Sequence, residues 1–210
     1  MARKKWIPLA GLAAALWASA AMAVEEPKFT PVLREGDFEE RDYPALVVAE
    51  VSVAGAQKEA ASKGFRLLAG YIFGGNQRRQ DIAMTAPVAQ QRAAGEKIAM
   101  TAPVAQTQST AGHWVVRFTL PSHYSLATLP RPNDARVVLR STAPARFAVL
   151  RFSGLARPAD VEAKSKALLM RLPAHRLRAT GPVSLAQYNP PWTPWFLRRN
   201  EVMVEVAAGS

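Results

Sequence analysis

Between Val47 and Val53 the chain alternates. Val47, Ala49, Val51 and Val53 fall on one side, and Val48, Glu50 and Ser52 on the other, a period of two that predicts a β-strand. From Gly55 to Tyr71 the period lengthens. Ala61, Phe65, Leu68 and Ile72 recur at steps of four, three and four, with Lys58, Glu59, Ser62, Lys63 and Arg66 filling the other side. That spacing predicts an amphipathic helix, stopped by Gly74-Gly75-Asn76. Further on, Trp114, Val116, Phe118 and Leu120 alternate with Val115, Arg117 and Thr119, a second clear strand, ended by Pro121.

Between these elements one apolar nonapeptide occurs twice. IAMTAPVAQ stands at Ile82–Gln90 and again at Ile98–Gln106. In each copy the even positions carry Ile, Met, Ala and Val, so both are expected as short strands with that set facing a core. The polar gap from Gln91 to Lys97 contains Gly95 and suits a hairpin loop between them. Pro87 and Pro103 cannot donate to a ladder and belong at strand ends, bulges or edges.

After the loop-like stretch from Ser122 to Asp134 the pattern restarts. Strands are expected over Arg136–Arg140 and Phe147–Ser153. A helix follows, with Pro158 suited to its first turn and Asp160 favourable near its N-terminus. Its apolar stripe is Val161, Ser165, Leu168, Leu169 and Leu172, and Pro173 closes it. Strands near Val183–Tyr188 and Glu201–Val206 complete the chain. Strand, helix, strands therefore occurs twice. The expected fold is α+β: two βαββ-type halves that bury each other's faces around one core, flanked by two main helices.

Composition changes the picture at the N-terminus. Arg3, Lys4 and Lys5 precede an apolar stretch from Trp6 to Ala21, and Ala21-Met22-Ala23 is a small-x-small cleavage signature. Residues 1–23 read as a secretory signal peptide, which places the remaining domain, 24–210, in the periplasm or outside the cell; an uncleaved anchor is the alternative. The chain has no cysteine, so disulfides, thiolate metal sites and lipoprotein attachment are all excluded. A net charge of +11 favours anionic partners. The Lys and Arg residues are scattered rather than clustered, which argues against nucleic acid.

Several stretches resemble the SOUL heme-binding protein family. They are YIFGGN (Tyr71–Asn76), both IAMTAPV copies, TLPRPND (Thr128–Asp134), RFSG (Arg151–Gly154) and YNPPWTPWFLRRNEV (Tyr188–Val202). The resemblance runs from about Phe38 to Val206. It implies a distorted antiparallel β-barrel of two pseudo-symmetric halves, similar to the effector-binding domains of some transcription regulators. It also implies non-catalytic binding of heme or another porphyrin, a small-molecule tetrapyrrole with flat apolar faces and two carboxylates. Such a ligand needs an apolar cleft with cations at its rim. Lys63 and Arg66 on the first helix are the candidate cations, with Tyr71 further along it. Met84, Met100, Trp192 and Trp195 are the candidate apolar contacts, with Phe196 beside them. His113, His123 and His175 all fall in expected loops without ligand spacing, so binding without a protein–iron bond is expected.

Two other functions compete. Hydrolysis of a small hydrophobic substrate would need a buried carboxylate or nucleophile, and Glu50, Asp81, Glu162 and Glu201 are candidates by elimination. No G-x-S-x-G or H-E-x-x-H motif is present. An envelope interaction module would use the basic surface for peripheral contact with anionic membrane or a partner protein.

Overall fold

The computed structural model describes residues 25–92, 113–190 and 192–209. The expected leader (1–23) and the second nonapeptide copy, with Met100, lie outside the described residues.

The elements run β1 (Thr30–Glu35), β2 (Phe38–Tyr43), β3 (Val47–Ala54), α1 (Gln57–Ile72), β4 (Val88–Arg92), β5 (His113–Thr119), β6 (Val138–Ser141) and β7 (Ala145–Ser153). Then come α2 (Pro158–Arg171), a 3-10 turn at Leu172–His175, β8 (Leu177–Ala179), β9 (Ser184–Gln187), a second 3-10 turn at Trp195–Leu197 and β10 (Arg199–Ala208). The strands make one antiparallel sheet in the order β1-β2-β7-β10-β9-β4-β5-β3-β6, with β8 also on β10. The expected barrel is not closed. Pairing starts at β1 and stops at β6, and those end strands do not pair with each other among the described residues.

Each helix covers a different part of one sheet face. Leu68, Tyr71 and Ile72 of α1 pack on Ala49, Val51, Val116 and Phe118 of β3 and β5. Leu168 of α2 packs with Phe38, Leu150, Val202 and Val204 of β2, β7 and β10. The strands around each helix pair in like order, β3-β5-β4 and β7-β10-β9, and β4 joins β9 between them. α2 starts with proline in its first turn and Asp160 beside the helix N-terminus, as expected. Its stripe is narrower than the sequence implied: Leu168 is buried but Leu169 is exposed.

The first nonapeptide copy departs from expectation. Only Val88–Gln90 of it is strand, within β4. Val88–Gln91 has β5 on one edge and β9 on the other, and the second strand of the expected hairpin lies outside the described residues. Residues 82–87 are irregular but anchored. The Ile82 N–H donates to the Ile72 carbonyl at 2.7 Å, the Ala86 N–H to Glu25 at 2.9 Å, and the Thr85 hydroxyl to the Thr119 carbonyl. Tertiary partners thus satisfy a backbone that Pro87 prevents from forming a full ladder. The side chains still point as alternation predicted, since Ile82 is buried and Met84 and Val88 pack against the α1 core.

β1 and β2 had no apolar alternation to signal them. β2 reads FEERDY, yet Phe38, Glu39, Glu40 and Arg41 are all buried.

Candidate functional site

Alternation fixes what lies on the face without helices. On β5, Val116 and Phe118 face α1, so Val115, Arg117 and Thr119 face away. On β7 and β10 the same parity turns Phe147, Met203 and Glu205 to that side. The sheet folds around these residues as a groove with a cavity of about 310 Å³. Its walls are mainly apolar: Tyr43, Leu46, Val115, Phe147 and Met203, with prolines at 27, 44, 87 and 182.

Two ion clusters lie on this face. In the first, Arg41, Glu39 and Glu201 are buried, while Arg151 is half-exposed and Tyr43 reaches the groove wall. Arg41 donates from Nη1 and Nη2 to the two oxygens of Glu201 at 2.8 and 3.0 Å, and from Nε to Glu39 at 2.7 Å. Arg151 approaches Glu39 and Glu201 at 3.5 and 3.7 Å. The Tyr188 hydroxyl donates to Glu201 at 2.5 Å, and Arg41 reaches the Tyr43 hydroxyl at 3.2 Å. Burial and the adjacent Glu201 charge push the Tyr188 phenol far above its usual range. Glu201, although buried beside a tyrosine, has both oxygens held by Arg41 and does not line the groove, so it is not free to act as a base.

The second cluster is open to the groove. Arg117 and Arg140, both in the lining, share Glu50 at 2.9 and 2.7 Å. Burial alone would raise the Glu50 carboxyl, but the hydrogen bonds and charges of Arg140 and Arg117 outweigh it and hold it below the usual range. Within the cluster one carboxylate meets two guanidiniums, which leaves one positive charge in excess and N–H donors to spare; Glu205 is the acid in the groove lining itself.

The residues singled out from sequence are divided between places. Lys63 and Arg66 lie together, with Arg136, at a shallow groove on the α1 side formed by Ser52–Ala54 and Leu67. Tyr71 is buried in the core and its hydroxyl donates to the Pro130 carbonyl at 3.0 Å. Met84 packs against that same core. Trp192 and Trp195 are exposed and line neither groove. The acids Asp81 and Glu162 are exposed, and Glu162 pairs with Lys166 one turn on. His113 and His123 are exposed, while His175 stacks on Phe38 at 4.4 Å; none of the three lines a groove. Among the described residues no cluster of His, Asp and Glu could hold a metal ion. Sequence reasoning missed Arg117, Arg140, Tyr43, Phe147 and Met203. Their parity was readable, but which face the helices leave open was not.

Comparison with solved structures defines the class first. The C-terminal domain of EcmrR matches 81% of this chain and 97% of its own length with a TM-score of 0.59 at 8% identity. A hydrolase from Listeria innocua matches 84% of this chain and 94% of its own length, with a TM-score of 0.53 at 9% identity. At such identities the likeness is one of fold: an open antiparallel sheet with two helices on one face. The family is given by sequence. The model of the SOUL heme-binding protein family matches residues 24–205, and the chain belongs to that family. Heme-binding protein 1 of Xenopus tropicalis is 29% identical over 167 residues, 79% of this chain and 81% of its own.

Proposed function

We propose that this protein binds heme or a related tetrapyrrole, without catalysis, in the groove on the helix-free face. The observation that carries the placement is the groove's composition: apolar walls meeting the paired guanidiniums of Arg117 and Arg140. These outnumber their shared Glu50 and leave N–H donors for a carboxylate, with Glu205 as the acid in the lining. A planar ligand with two carboxylates fits that donor set. Its ring would lie against Phe147, Met203 and Tyr43, and its carboxylates would accept from the two guanidiniums. The like strand order on either side of the β4–β9 pair supports a groove made where two related halves meet. Three histidines away from the groove support binding through ring faces and carboxylates rather than through iron. The basic and apolar first residues support export, so the ligand would be met outside the cytoplasm.

The test is titration with hemin, protoporphyrin and their dimethyl esters, read by the Soret band and tryptophan quenching. Arg117→Gln/Arg140→Gln is expected to weaken the diacids by on the order of tenfold to a hundredfold and to leave the esters nearly unchanged. Glu50→Gln should tighten the diacids by freeing both arginines. Lys63→Gln/Arg66→Gln is the counter-arm. If it carries the diacid preference instead, the ligand belongs on the α1 side and the placement fails.

A separate prediction concerns iron. Met203 is the thioether in the groove lining. Met203→Leu should leave the Soret position of the hemin complex unchanged, because the side chain serves as an apolar contact. A shifted band on this substitution would make it an axial ligand.

A further inference from the structure

The loop between β9 and β10 is unusual in what it leaves in water. Trp192, Trp195, Phe196 and Leu197 are 82, 59, 59 and 64% exposed. Four large apolar side chains exposed within six residues are a local concentration rather than hydrophobics scattered singly over the surface. The turn after β7 adds to it. Ser153 pairs with Arg199 and the Gly154 carbonyl accepts from Asn200 Nδ2 at 3.0 Å, which brings exposed Leu155 alongside.

The loop is built rather than loose. The Leu197 N–H donates to the Pro194 carbonyl at 2.9 Å, and Arg198 Nε to the Thr193 carbonyl at 2.8 Å. The Arg199 N–H donates to Asn189 Oδ1 at 2.6 Å. Trp195 and Phe196 meet edge to face at 5.7 Å. Thr193–Arg199 is therefore held by its own hydrogen bonds, and the ordering cost of Trp195, Phe196 and Leu197 is met within the fold, not on docking. One exposed cation, Arg157, follows two residues after Leu155 and makes no ion pair among the described residues, and without Arg3, Lys4 and Lys5 of the expected leader the net charge is +11 − 3 = +8.

We infer that this loop is a membrane-docking surface for anionic bilayers. Tryptophan and phenylalanine favour the headgroup boundary, where an amphipathic ring has one wet and one apolar side. Exposed aromatics on a net basic protein, with exposed Arg157 shortly after Leu155, match a negatively charged interface. The groove on the helix-free face does not include these residues, so docking and ligand binding use separate surfaces.

The protein purified from an exporting host, its N-terminus read by mass spectrometry, is mixed with vesicles. One set is phosphatidylglycerol and phosphatidylcholine in equal parts, and the other is phosphatidylcholine alone. Binding to the anionic set, with quenching of tryptophan by brominated acyl chains, is expected. Trp192→Ser/Trp195→Ser/Phe196→Ser should reduce it on the order of tenfold or more, and Arg157→Glu should reduce it less and weaken its dependence on salt. The triple variant should keep the far-ultraviolet spectrum and hemin titration of the parent. Four results would overturn the inference: no binding by the parent, equal binding by the triple variant, loss of hemin rather than vesicle binding in that variant, or self-association through the loop in place of vesicle binding.

Discussion

Arg41→Met is expected to destabilise the fold by about 3–5 kcal/mol, seen as a large fall in the urea midpoint with an unchanged slope. Arg41 sits between Glu39 and Glu201, and Glu201 is only 1% exposed. Removing the guanidinium leaves carboxylates buried without their main partner, and a typical domain has only about 5–15 kcal/mol in total. Adding Glu201→Gln should recover part of the loss, because it removes the stranded charge while keeping an acceptor for Tyr188. Arg146→Met is the control. Its pair with Asp42 is a similar hydrogen-bonded ion pair at 2.7 Å but half exposed, and it should cost at most about 1 kcal/mol. Equal effects of Arg41→Met and Arg146→Met would show that the buried network is not what holds β2 to β10.

The network also sets the response to acid. Burial pulls the Glu39 carboxyl upward, but Arg41 outweighs it and holds the group below the usual range, as Arg140 and Arg117 do for Glu50. A depressed folded pKa contributes stability above the unfolded value of about 4.3, and that contribution is lost as pH falls through the folded value. Unfolding on acidification should therefore begin below that point.

Two glycines of one helix are expected to respond with opposite sign to the same substitution. A Cβ at Gly64 would stand 2.5 Å from Val116 Cγ2 and 2.6 Å from its Cβ, where α1 crosses β5. Neither atom is the end of a flexible chain, so helix and sheet must separate. Gly64→Ala should cost about 1–3 kcal/mol, even though alanine is favoured in a helix by about 1 kcal/mol. At Gly70 a Cβ meets nothing within 4 Å, and Gly70→Ala should stabilise by about 0.5–1 kcal/mol. Val116→Ala in the Gly64→Ala background should cost less than it does alone, because each change supplies the room the other needs. Additive losses would mean the close crossing is not the cause.

The alternating stretches were legible because their neighbours agree with them. β3, β5, β7 and both helices fall where the periodicity places them. But α1 buries Ala60, Gly64, Leu68, Tyr71 and Ile72 and leaves Phe65 exposed. Its core face is rotated from the Ala61–Phe65 stripe because the small Gly64 is what lets it approach β5. β2 was not legible, because its buried charges are neutralised by residues 160 positions away, such as Glu201 for Arg41. Segment 82–87 misled for the opposite reason: its apolar alternation is real, but its hydrogen bonds go to Ile72, Thr119 and Glu25 rather than to a strand ladder.

The sequence alone determined the family, the α+β character and the core sides of the main strands, because these depend on local period and long motifs. Only the tertiary structure decided which face the helices leave open. With it came the pairing of Arg117 and Arg140 through Glu50, and the separation of the tryptophans from both grooves. Those facts depend on strand order, and strand order is a property of contacts between distant segments that no local pattern encodes.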